Sequence, residues 1–376
     1  MPFDLPPVFA GFLFAVAWVG HACVWVALMN FLFGCPISKK FLKPWRLVTG
    51  VVLLAFPLLL PVAETWPATA YLGVCLTVGG AVFPAITVSR WLRTLPSEVA
   101  IAETKSFDFR KTLGPACVGD GKLRAATGLP FNDVFKFDIT TMTVTLPTIP
   151  VAWDGLTLLL VSDTHFHGTP SRAWFDAVFD QLAALPVPDV VLLAGDFVDA
   201  DEHIEWIGPL FGRLKWKEAG FAILGNHDLY HQPEQVRDEL AKVGYAVLGN
   251  GWREVTIRGE RCAVIGHEGP WFTPAPDLSD LPAGVFRLCL SHTPDNFYWG
   301  VRNGIDLMVS GHVHGGGVRV PLIGPIFTPS KFGRRFDLPA FKEKDTLLLL
   351  SRGVSGKEPM RFRCPPEAVR IVLRRG

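Results

Sequence analysis

The sequence predicts an α/β domain in which two packed sheets are covered by helices, preceded by a region of membrane-spanning helices. From Gly155 onward, short apolar runs such as "LTLLLVSD", "DVVLLAGD" and "IDLMVSGH" recur, and each ends in a polar residue or glycine. Runs of this length and composition are typical of strands that are buried on both faces. Helical periodicity in "SRAWFDAVFDQLAAL" and "QPEQVRDELAKVG" places helices between the strands. Three uncharged apolar runs near the N-terminus predict the membrane region.

The membrane region follows from the length of these uncharged runs. Residues 5–38, 47–63 and 65–89 contain no Asp, Glu, Lys or Arg. A helix that crosses the hydrocarbon core of a bilayer needs about 20 apolar residues. The first and third runs reach this length, whereas the second is shorter and contains Pro57 and Pro61. We predict membrane-spanning segments at residues 8–33, 47–62 and 68–88, with a membrane hairpin in place of the last two as the alternative.

Charged residues in the connections predict the orientation of these segments. The connection after the first segment carries four cationic residues, Lys39, Lys40, Lys43 and Arg46. Arg90 and Arg93 follow the third segment, and the connection between the second and third carries only Glu64. The positive-inside rule then predicts a multi-pass protein of the inner (cytoplasmic) membrane whose C-terminal domain faces the cytoplasm. If the second segment fails to span the bilayer, that domain lies on the opposite side.

Overall composition narrows the functional classes. The formal net charge of +1 argues against nucleic acid as a partner. The 7 cysteines are odd in number, scattered and never spaced as CxxC, which argues against a disulfide framework and a structural zinc site. This cysteine usage is typical of a reducing compartment. No feature of the sequence identifies a protein partner.

We divide the chain into a membrane region at residues 1–96, a juxtamembrane linker at 97–136 and a C-terminal domain at 137–376. The linker stretch is mixed in composition and has no strong periodicity. The C-terminal domain begins with "FDITTMTVTLPTIPV", whose alternation of apolar and polar residues predicts a strand.

Polar residues at the ends of the predicted strands form five motifs, "SDTHFHG", "AGDFVD", "LGNHD", "LSHTPD" and "SGHVHGGG". Since ligands collect beyond the carboxyl ends of strands in α/β sheets, we expect these residues to meet at one edge. Carboxylates, imidazoles and an Asn carbonyl are ligands for divalent metals. The i, i+2 spacing of Asp163 and His165, and of His312 and His314, points both members of each pair to the same side. Asp196 has two carboxylate oxygens and can bridge two metals.

Taken in order, D-x-H, G-D-x-x-D, G-N-H-D, a lone His and G-H-x-H form the five-part signature of the calcineurin-like metallophosphoesterases, which the chain resembles over residues 163–314. "PLIGPIFTPSKFGRRF" and "RFRCPPE" resemble the membrane-anchored bacterial branch, in particular its UDP-2,3-diacylglucosamine pyrophosphatase-type members. One departure is that Gly315, Gly316 and Gly317 follow the last His, where that branch usually has Gly-Gly-Gln. This difference would alter substrate contacts and leave the metals untouched. The resemblance implies a four-layer α/β/β/α sandwich for the catalytic domain.

The resemblance also implies a cofactor of two divalent metal ions, with manganese expected first and iron or zinc as the alternatives. The ligands of one ion would be Asp163, His165, Asp196 and His314. The ligands of the other would be Asp196, Asn226, His292 and His312. His227 would protonate the leaving oxygen or stabilise the transition state, with Asp228 orienting its ring. Asp199 is expected to be a supporting or structural residue.

Three further residues are candidates for substrate contact. Arg334 and Arg335 in "FGRRF" could grip a phosphate bidentately, although an exposed ion pair is an equal alternative. His167 could also reach the substrate, but a solvent-facing histidine in a loop is the simpler expectation.

Motifs and membrane region together predict a membrane-anchored phosphohydrolase with a binuclear metal centre, which cleaves a phosphodiester or pyrophosphate bond. The expected partners are the lipid bilayer and a membrane-associated phosphorylated substrate, and UDP-2,3-diacylglucosamine of lipid A synthesis is the best match. A broad-specificity phosphodiesterase acting on soluble nucleotides or phospholipids is the second interpretation. A catalytically silent membrane scaffold is the third, and the intact His227 and Asp228 argue against it.

Overall fold

The structure, a computed structural model, describes residues 6–62 and 65–376, so Glu64 of the orientation argument lies outside the described residues. The chain forms two compact units. The N-terminal unit comprises Met1–Thr94 together with Pro321–Arg334, and the C-terminal unit comprises Leu95–Val320 and Arg335–Gly376.

Apolar helices make up most of the N-terminal unit. They are α1 (Pro7–Phe33), α2 (Lys39–Ala55), α3 (Trp66–Thr77) and α4 (Phe83–Leu92). The 3-10 turn Phe56–Val62 prolongs α2, and the π-helical turn Val78–Val82 joins α3 to α4. Three helical stretches, Pro7–Phe33, Lys40–Leu59 and Trp66–Leu92, are long and apolar enough to cross a membrane. The prediction of three such segments is confirmed by length and composition, although the second begins earlier in the chain than predicted.

Glycine lets α1 pack closely against the third helical stretch. A Cβ atom on Gly20 would lie 1.8 Å from the carbonyl oxygen of Cys75, and one on Gly79 would lie 2.0 Å from that of Val16. Any larger side chain would push the helices apart, and small residues serve the same purpose in membrane proteins generally.

Two mixed β-sheets form the frame of the C-terminal unit. In chain order, its strands are β1 (Val99–Asp108), β2 (Lys136–Leu146), β3 (Thr157–Val161), β4 (Val190–Ala194), β5 (Ala219–Ile223), β6 (Ala246–Val247), β7 (Gly251–Ile257), β8 (Glu260–His267), β9 (Phe286–Ser291), β10 (Leu307–Ser310), β11 (Arg319–Val320), β13 (Ala340–Glu343), β14 (Thr346–Leu350) and β15 (Glu367–Arg375). The short strand β12 (Gly324–Pro325) lies in the N-terminal unit, and β11 belongs to neither of the two sheets. One sheet has the strand order β1-β2-β15-β3-β4-β5-β6, and the other has the order β13-β14-β10-β9-β8-β7. The helices are α5 (Phe109–Leu113), α6 (Arg172–Ala183), α7 (Ile207–Phe211), α8 (Pro233–Lys242) and α9 (Phe297–Arg302).

Buried side chains alternate between two cores along the central strands. Leu158 and Leu160 of β3 pack in one core with Leu288 of β9, so that core contains residues of both sheets. Leu159 of β3 points the other way and packs in a core with Trp174 of α6. A strand with period two that is buried on both faces has to be apolar throughout, which explains the unbroken run in β3. The predicted mixed α/β architecture is confirmed, while the four-layer order stays a prediction.

The stretch at 97–136 differs from the predicted linker. Its first strand, β1, pairs antiparallel with β2 along its length and so belongs to the larger sheet. Phe109 and Cys117 from the same stretch are buried in the helix-covered core. The sequence concealed this strand because β1 lies at the edge of the sheet and most of its side chains are exposed. An exposed edge strand has little apolar patterning.

Candidate metal centre

Parallel strands deliver the predicted ligands to one edge of each sheet. β3, β4 and β5 are neighbouring parallel strands, and β9 and β10 are neighbouring parallel strands of the other sheet. The ligand residues all follow the carboxyl ends of these strands: Asp163 and His165 after β3, Asp196 after β4, Asn226 after β5, His292 after β9, and His312 and His314 after β10. The strand ends of a parallel sheet are the expected place for a ligand site.

A first cluster consists of Asp163, His165 and His314. The two Nε2 atoms of His165 and His314 lie 3.2 Å apart. They lie 3.9 Å and 3.8 Å, respectively, from Oδ1 of Asp163. Three ligand atoms thus converge on one point, as they would around a shared cation.

A second cluster consists of Asp196, His292 and His312. Nε2 of His292 lies 3.3 Å from Oδ2 of Asp196 and 3.0 Å from Oδ1 of Asn226. The same Oδ2 of Asp196 lies 3.5 Å from Nε2 of His165, a member of the first cluster. Asp196 therefore lies between the two clusters and can serve both.

The residues present fit two divalent metal ions. Asp163, Asp196, His165 and His292 are all at most 1% exposed, so their polar atoms need partners other than bulk water. Nε2 of His312 is buried and has no hydrogen-bond partner among the described residues. Two glycines keep the centre open, since a Cβ on Gly311 would lie 2.1 Å from Oδ2 of Asp163 and one on Gly225 would lie 2.2 Å from Oδ1 of Asp196. Carboxylate, imidazole and amide oxygen are the donors that such ions prefer.

Electrostatics in the clusters favour charged carboxylates beside positive charge. Burial opposes ionisation of Asp196, but His292 and His227 hold its pKa well below the usual range. Burial likewise favours the neutral form of His292, yet the Asp196 carboxylate raises its pKa to about 9. The buried carboxylates therefore need positive charge beside them, and bound divalent ions would supply it in place of protons.

Strained backbone holds five of the seven ligand residues. Their φ angles are positive: 56° for Asp163, 45° for His165, 57° for Asp196, 67° for His312 and 50° for His314. Such conformations cost about 1–3 kcal/mol each and are concentrated at functional sites. Side chains compensate locally, since Asp163 accepts the backbone N–H of His312 at 3.0 Å and Asp196 accepts that of His227 at 2.7 Å.

Asp199, rather than Asp228, orients the ring of His227. One carboxylate oxygen of Asp199 accepts a short hydrogen bond from Nδ1 of His227, and the other lies 2.9 Å from Nδ1 of His165. Asp228 instead accepts the backbone N–H groups of Asp196, Phe197, Val198 and Gly225 at 2.8–3.2 Å. The expectation that Asp228 orients His227 is therefore corrected, because its oxygens are occupied in fixing the loop that carries Asp196. The pKa of His227 is lowered by burial, which the Asp199 carboxylate opposes.

The candidates for substrate contact lie in different places. His167 is half-buried rather than solvent-facing, and its Nε2 lies 3.3 Å from the carbonyl oxygen of Gly356. Arg334 belongs to the N-terminal unit, where it donates to the carbonyl oxygen of Ile323. The guanidinium of Arg335 lies 5.6 Å from the ring centre of Tyr298. Substrate contact by these three residues stays a prediction.

Two residues beside the ligands were missed in the sequence. The ring of Trp271 lies 4.9 Å from that of His312, so an aromatic surface borders the second cluster. Arg361, at 2% exposure, donates to the carbonyl oxygen of His314 at 3.0 Å. The motif "RFRCPPE" contained a signal for Arg361, whereas nothing marked Trp271 among the 12 tryptophans.

The chain is similar to known phosphoesterases over the region that contains both clusters. Residues 156–316 match the family model of the calcineurin-like phosphoesterases. The uncharacterized metallophosphoesterase YkuE of Bacillus subtilis is 26% identical over 246 residues, which cover 63% of this chain and 85% of that protein. Phosphodiesterase YaeI of Escherichia coli is 29% identical over 223 residues, covering 57% of this chain and 81% of that protein. A transmembrane protein with metallophosphoesterase domain from Danio rerio is 26% identical over 193 residues, covering 45% and 42%.

The matched region contains every predicted metal ligand, from Asp163 to His314. Phosphoester hydrolysis is the chemistry that the matched family model describes, and the buried Asp/His clusters are suited to it. The chain is a hydrolase whose residues 156–316 match the calcineurin-like phosphoesterases.

Proposed function

We propose that the protein is a membrane-anchored hydrolase with a binuclear metal centre, which cleaves a phosphodiester or pyrophosphate bond in a membrane-borne substrate. The observation that carries the proposal is the pair of buried Asp/His clusters between which Asp196 lies. The three helices of spanning length support the membrane anchor. An anchored enzyme shares a surface with a lipid-borne substrate, which raises the effective concentration of one for the other.

Seven residues would hold two divalent ions. Asp163, His165, Asp196 and His314 would bind one, and Asp196, Asn226, His292 and His312 the other. When bound, such ions neutralise charge on phosphoryl oxygens and lower the pKa of water toward neutrality. Manganese is our first expectation, and iron or zinc would suit the same ligands.

His227 would assist departure of the leaving group. Its Nδ1 is held by Asp199, so Nε2 is the ring nitrogen that can exchange a proton with the substrate. The Asp199 carboxylate stabilises the protonated ring and fixes its orientation, as the acid does in other carboxylate–histidine pairs. From Nε2 the proton would pass to the leaving oxygen, which would otherwise depart as an alkoxide or a phosphate anion.

The substrate that best fits the anchor and the sequence motifs is UDP-2,3-diacylglucosamine, which would yield a lipid phosphate and UMP. The test is UMP release by the detergent-purified full chain with added Mn²⁺, next to the soluble diester bis(p-nitrophenyl) phosphate. We expect faster turnover of the lipid substrate. The His227→Ala variant should lose turnover and keep its metal, whereas His231→Ala should behave as the wild type, because His231 pairs with Asp201 and is not near a ligand cluster.

A broad phosphodiesterase is the second candidate, and the phosphodiesterase name of the E. coli relative favours it. Cleavage of the soluble diester alone would retain this candidate and reject the lipid A substrate. Metal binding without turnover of any diester would instead favour the catalytically silent scaffold.

The catalytic domain is proposed to face the cytoplasm of an inner-membrane protein. Support comes from the cationic connections, which contain Lys39, Lys40, Lys43, Arg46, Arg90 and Arg93. A green fluorescent protein fused after Gly376 should fluoresce in bacterial cells, since it does not fluoresce when exported unfolded to the periplasm. A fusion that is dark while alkaline phosphatase at the same point is active would reverse the assignment.

A further inference from the structure

One segment of the chain leaves the C-terminal unit after the last metal ligand and joins the membrane helices. Pro321–Arg334 belongs to the N-terminal unit, although it lies far along the chain from the other residues of that unit. We call this segment the membrane loop. It is not part of the matched family region, which ends at residue 316.

Backbone contacts join the membrane loop to the ends of α1 and α4. The side chain of Asn30, 2% exposed in α1, accepts the backbone N–H of Thr328 at 2.9 Å. The indole Nε1 of Trp91, in α4, donates to the carbonyl oxygen of Leu322 at 2.6 Å. Gly34 makes room for the loop, because a Cβ there would lie 2.5 Å from the backbone nitrogen of Lys331. The loop is therefore fitted to the helix ends and is not a loose connection.

Large apolar side chains of the membrane loop remain exposed. Leu322 is 74% exposed and Phe332 42%, while Ile326 and Phe327 are 37% exposed. Water-exposed apolar clusters of this kind mark contact with a membrane or a protein. Because the loop that carries these side chains packs against the ends of helices of membrane-spanning length, lipid is the surrounding that they fit.

Charge identifies the lipid class. The sequence of the N-terminal unit contains only two acidic residues, Asp4 and Glu64. Its cationic residues precede or begin α2, end or follow α4, or lie in the membrane loop itself: Lys39, Lys40, Lys43, Arg46, Arg90, Arg93, Lys331 and Arg334. Topology alone explains cations that flank spanning helices. It does not explain Lys331, which lies far along the chain from the spanning helices and yet against the end of α1.

We propose that the membrane loop, together with the cationic ends of α2 and α4, binds the phosphate headgroup of an anionic phospholipid. Leu322 and Phe332 enter the acyl region beside it. The surface rests on the proposed membrane anchor and is independent of which phosphoester the metal centre cleaves.

Native mass spectrometry of the full chain in detergent tests this proposal, with phosphatidylglycerol and phosphatidylcholine as probes. We expect the wild type to bind phosphatidylglycerol in preference to phosphatidylcholine. Lys331→Gln should weaken phosphatidylglycerol binding about fivefold, the factor that corresponds to removing one cation near a lipid surface. Leu322→Ser/Phe332→Ser should weaken binding of both lipids. Lys122→Gln, at an exposed lysine of the C-terminal unit, is the charge-matched control and should change neither.

Equal binding of the two lipids by the wild type would overturn the proposal, as would an unchanged preference in Lys331→Gln. Hydrolysis of the soluble diester is measured in parallel. The rate of this hydrolysis should be the same in the wild type and in the three variants named above. If the wild type does not hydrolyse the diester, the proposed function fails while the lipid result still stands. Lys331→Arg should restore the preference and so separates loss of charge from loss of folding.

Discussion

At the scale of single residues, the centre depends on side chains that hold the ligands as much as on the ligands themselves. Asp199 contacts the imidazoles of both His165 and His227, and so couples a metal ligand to the proposed proton donor. Its pKa is well below the usual range, because the two histidines outweigh the effect of burial. A permanently charged Asp199 can therefore fix both rings at neutral pH.

We predict that Asp199→Asn lowers kcat for bis(p-nitrophenyl) phosphate by about 10- to 100-fold, as found when partners of metal-bound histidines are removed. The amide keeps the shape of the side chain and loses the charge that stabilises the protonated ring. Asp201→Asn is the matched control, since Asp201 pairs with the histidine at 231 on the exposed side of the same stretch. Wild-type kinetics in Asp199→Asn would show that the contact is structural only.

Arg361 supports His314 in a similar way from the opposite side of the ring. Its guanidinium donates to the carbonyl oxygens of His314 at 3.0 Å and Arg352 at 2.9 Å, and lies 3.0 Å from Nδ1 of His314. No carboxylate forms a salt bridge with it among the residues that the structure describes. A buried charge without an ion pair is costly, and the contacts of this guanidinium with His314 indicate a positioning role.

Arg361→Met is predicted to weaken binding of the ion at the first cluster by about 10- to 100-fold, because His314 loses its support. Metal content by mass spectrometry and affinity by titration would measure this. Arg363→Met, two residues away at an exposed position of the same motif, should retain wild-type affinity. Arg361→Lys should recover part of the loss through one carbonyl bond. Unchanged affinity in Arg361→Met would contradict the assigned role.

At the scale of elements, side chains of α1 form hydrogen bonds with carbonyl groups near the end of α2. Pro57 has no N–H, so it cannot donate to the carbonyl of Leu53 as a residue in an α-helix would. The indole Nε1 of Trp18 donates to that carbonyl at 2.9 Å. Nε2 of His21 lies 2.9 Å from the neighbouring carbonyl oxygen of Val52. These contacts explain why a polar histidine is present within the first apolar helix.

Trp18→Phe should therefore destabilise the full chain by about 1 kcal/mol in the wild-type background and by less when combined with Pro57→Ala. In the second background, the new N–H at position 57 can reach the carbonyl of Leu53. Thermal unfolding in detergent gives both values. Trp25→Phe is the control, since the Trp25 indole donates to Tyr71 at 3.0 Å and its loss should cost the same in both backgrounds. If Trp18→Phe lowers stability equally in the two backgrounds, the Trp18 hydrogen bond does not compensate for the missing N–H of Pro57.

Comparison of these elements shows what the sequence could predict. The buried strands of the centre are apolar runs that end in ligand-type residues, so both the strands and the meeting of their ends were predictable. β1 was not, because an exposed edge strand has no apolar pattern. The hydrogen-bond partners of Asp199 and Asp228 were not predictable, because the two carboxylates have the same chemistry and only the tertiary structure determines which groups each one contacts. The membrane loop was not, since its place depends on contacts with residues about 300 positions earlier, such as the bond from Thr328 to Asn30.

At the scale of the whole molecule, the buried carboxylates link metal binding to stability. Asp163 and Asp196 are both fully buried, and burial raises the pKa of Asp163. Without cations, such groups must share protons with the surrounding histidines or remain charged without full compensation, and either outcome costs free energy. Metal that binds the folded chain and not the unfolded chain adds stability by mass action.

Removal of metal by a chelator should therefore lower the thermal midpoint of the full chain in detergent. With the ion at about 100 times its dissociation constant, the stabilisation is about 2.7 kcal/mol per site, which corresponds to roughly 5–10 °C for a domain of this size. Addition of Mn²⁺ in excess over the chelator should restore the midpoint. Asp196→Asn, which removes the ligand between the two clusters, should respond weakly to both treatments. A shift of equal size in Asp196→Asn would mean that the stabilising ion binds elsewhere in the chain.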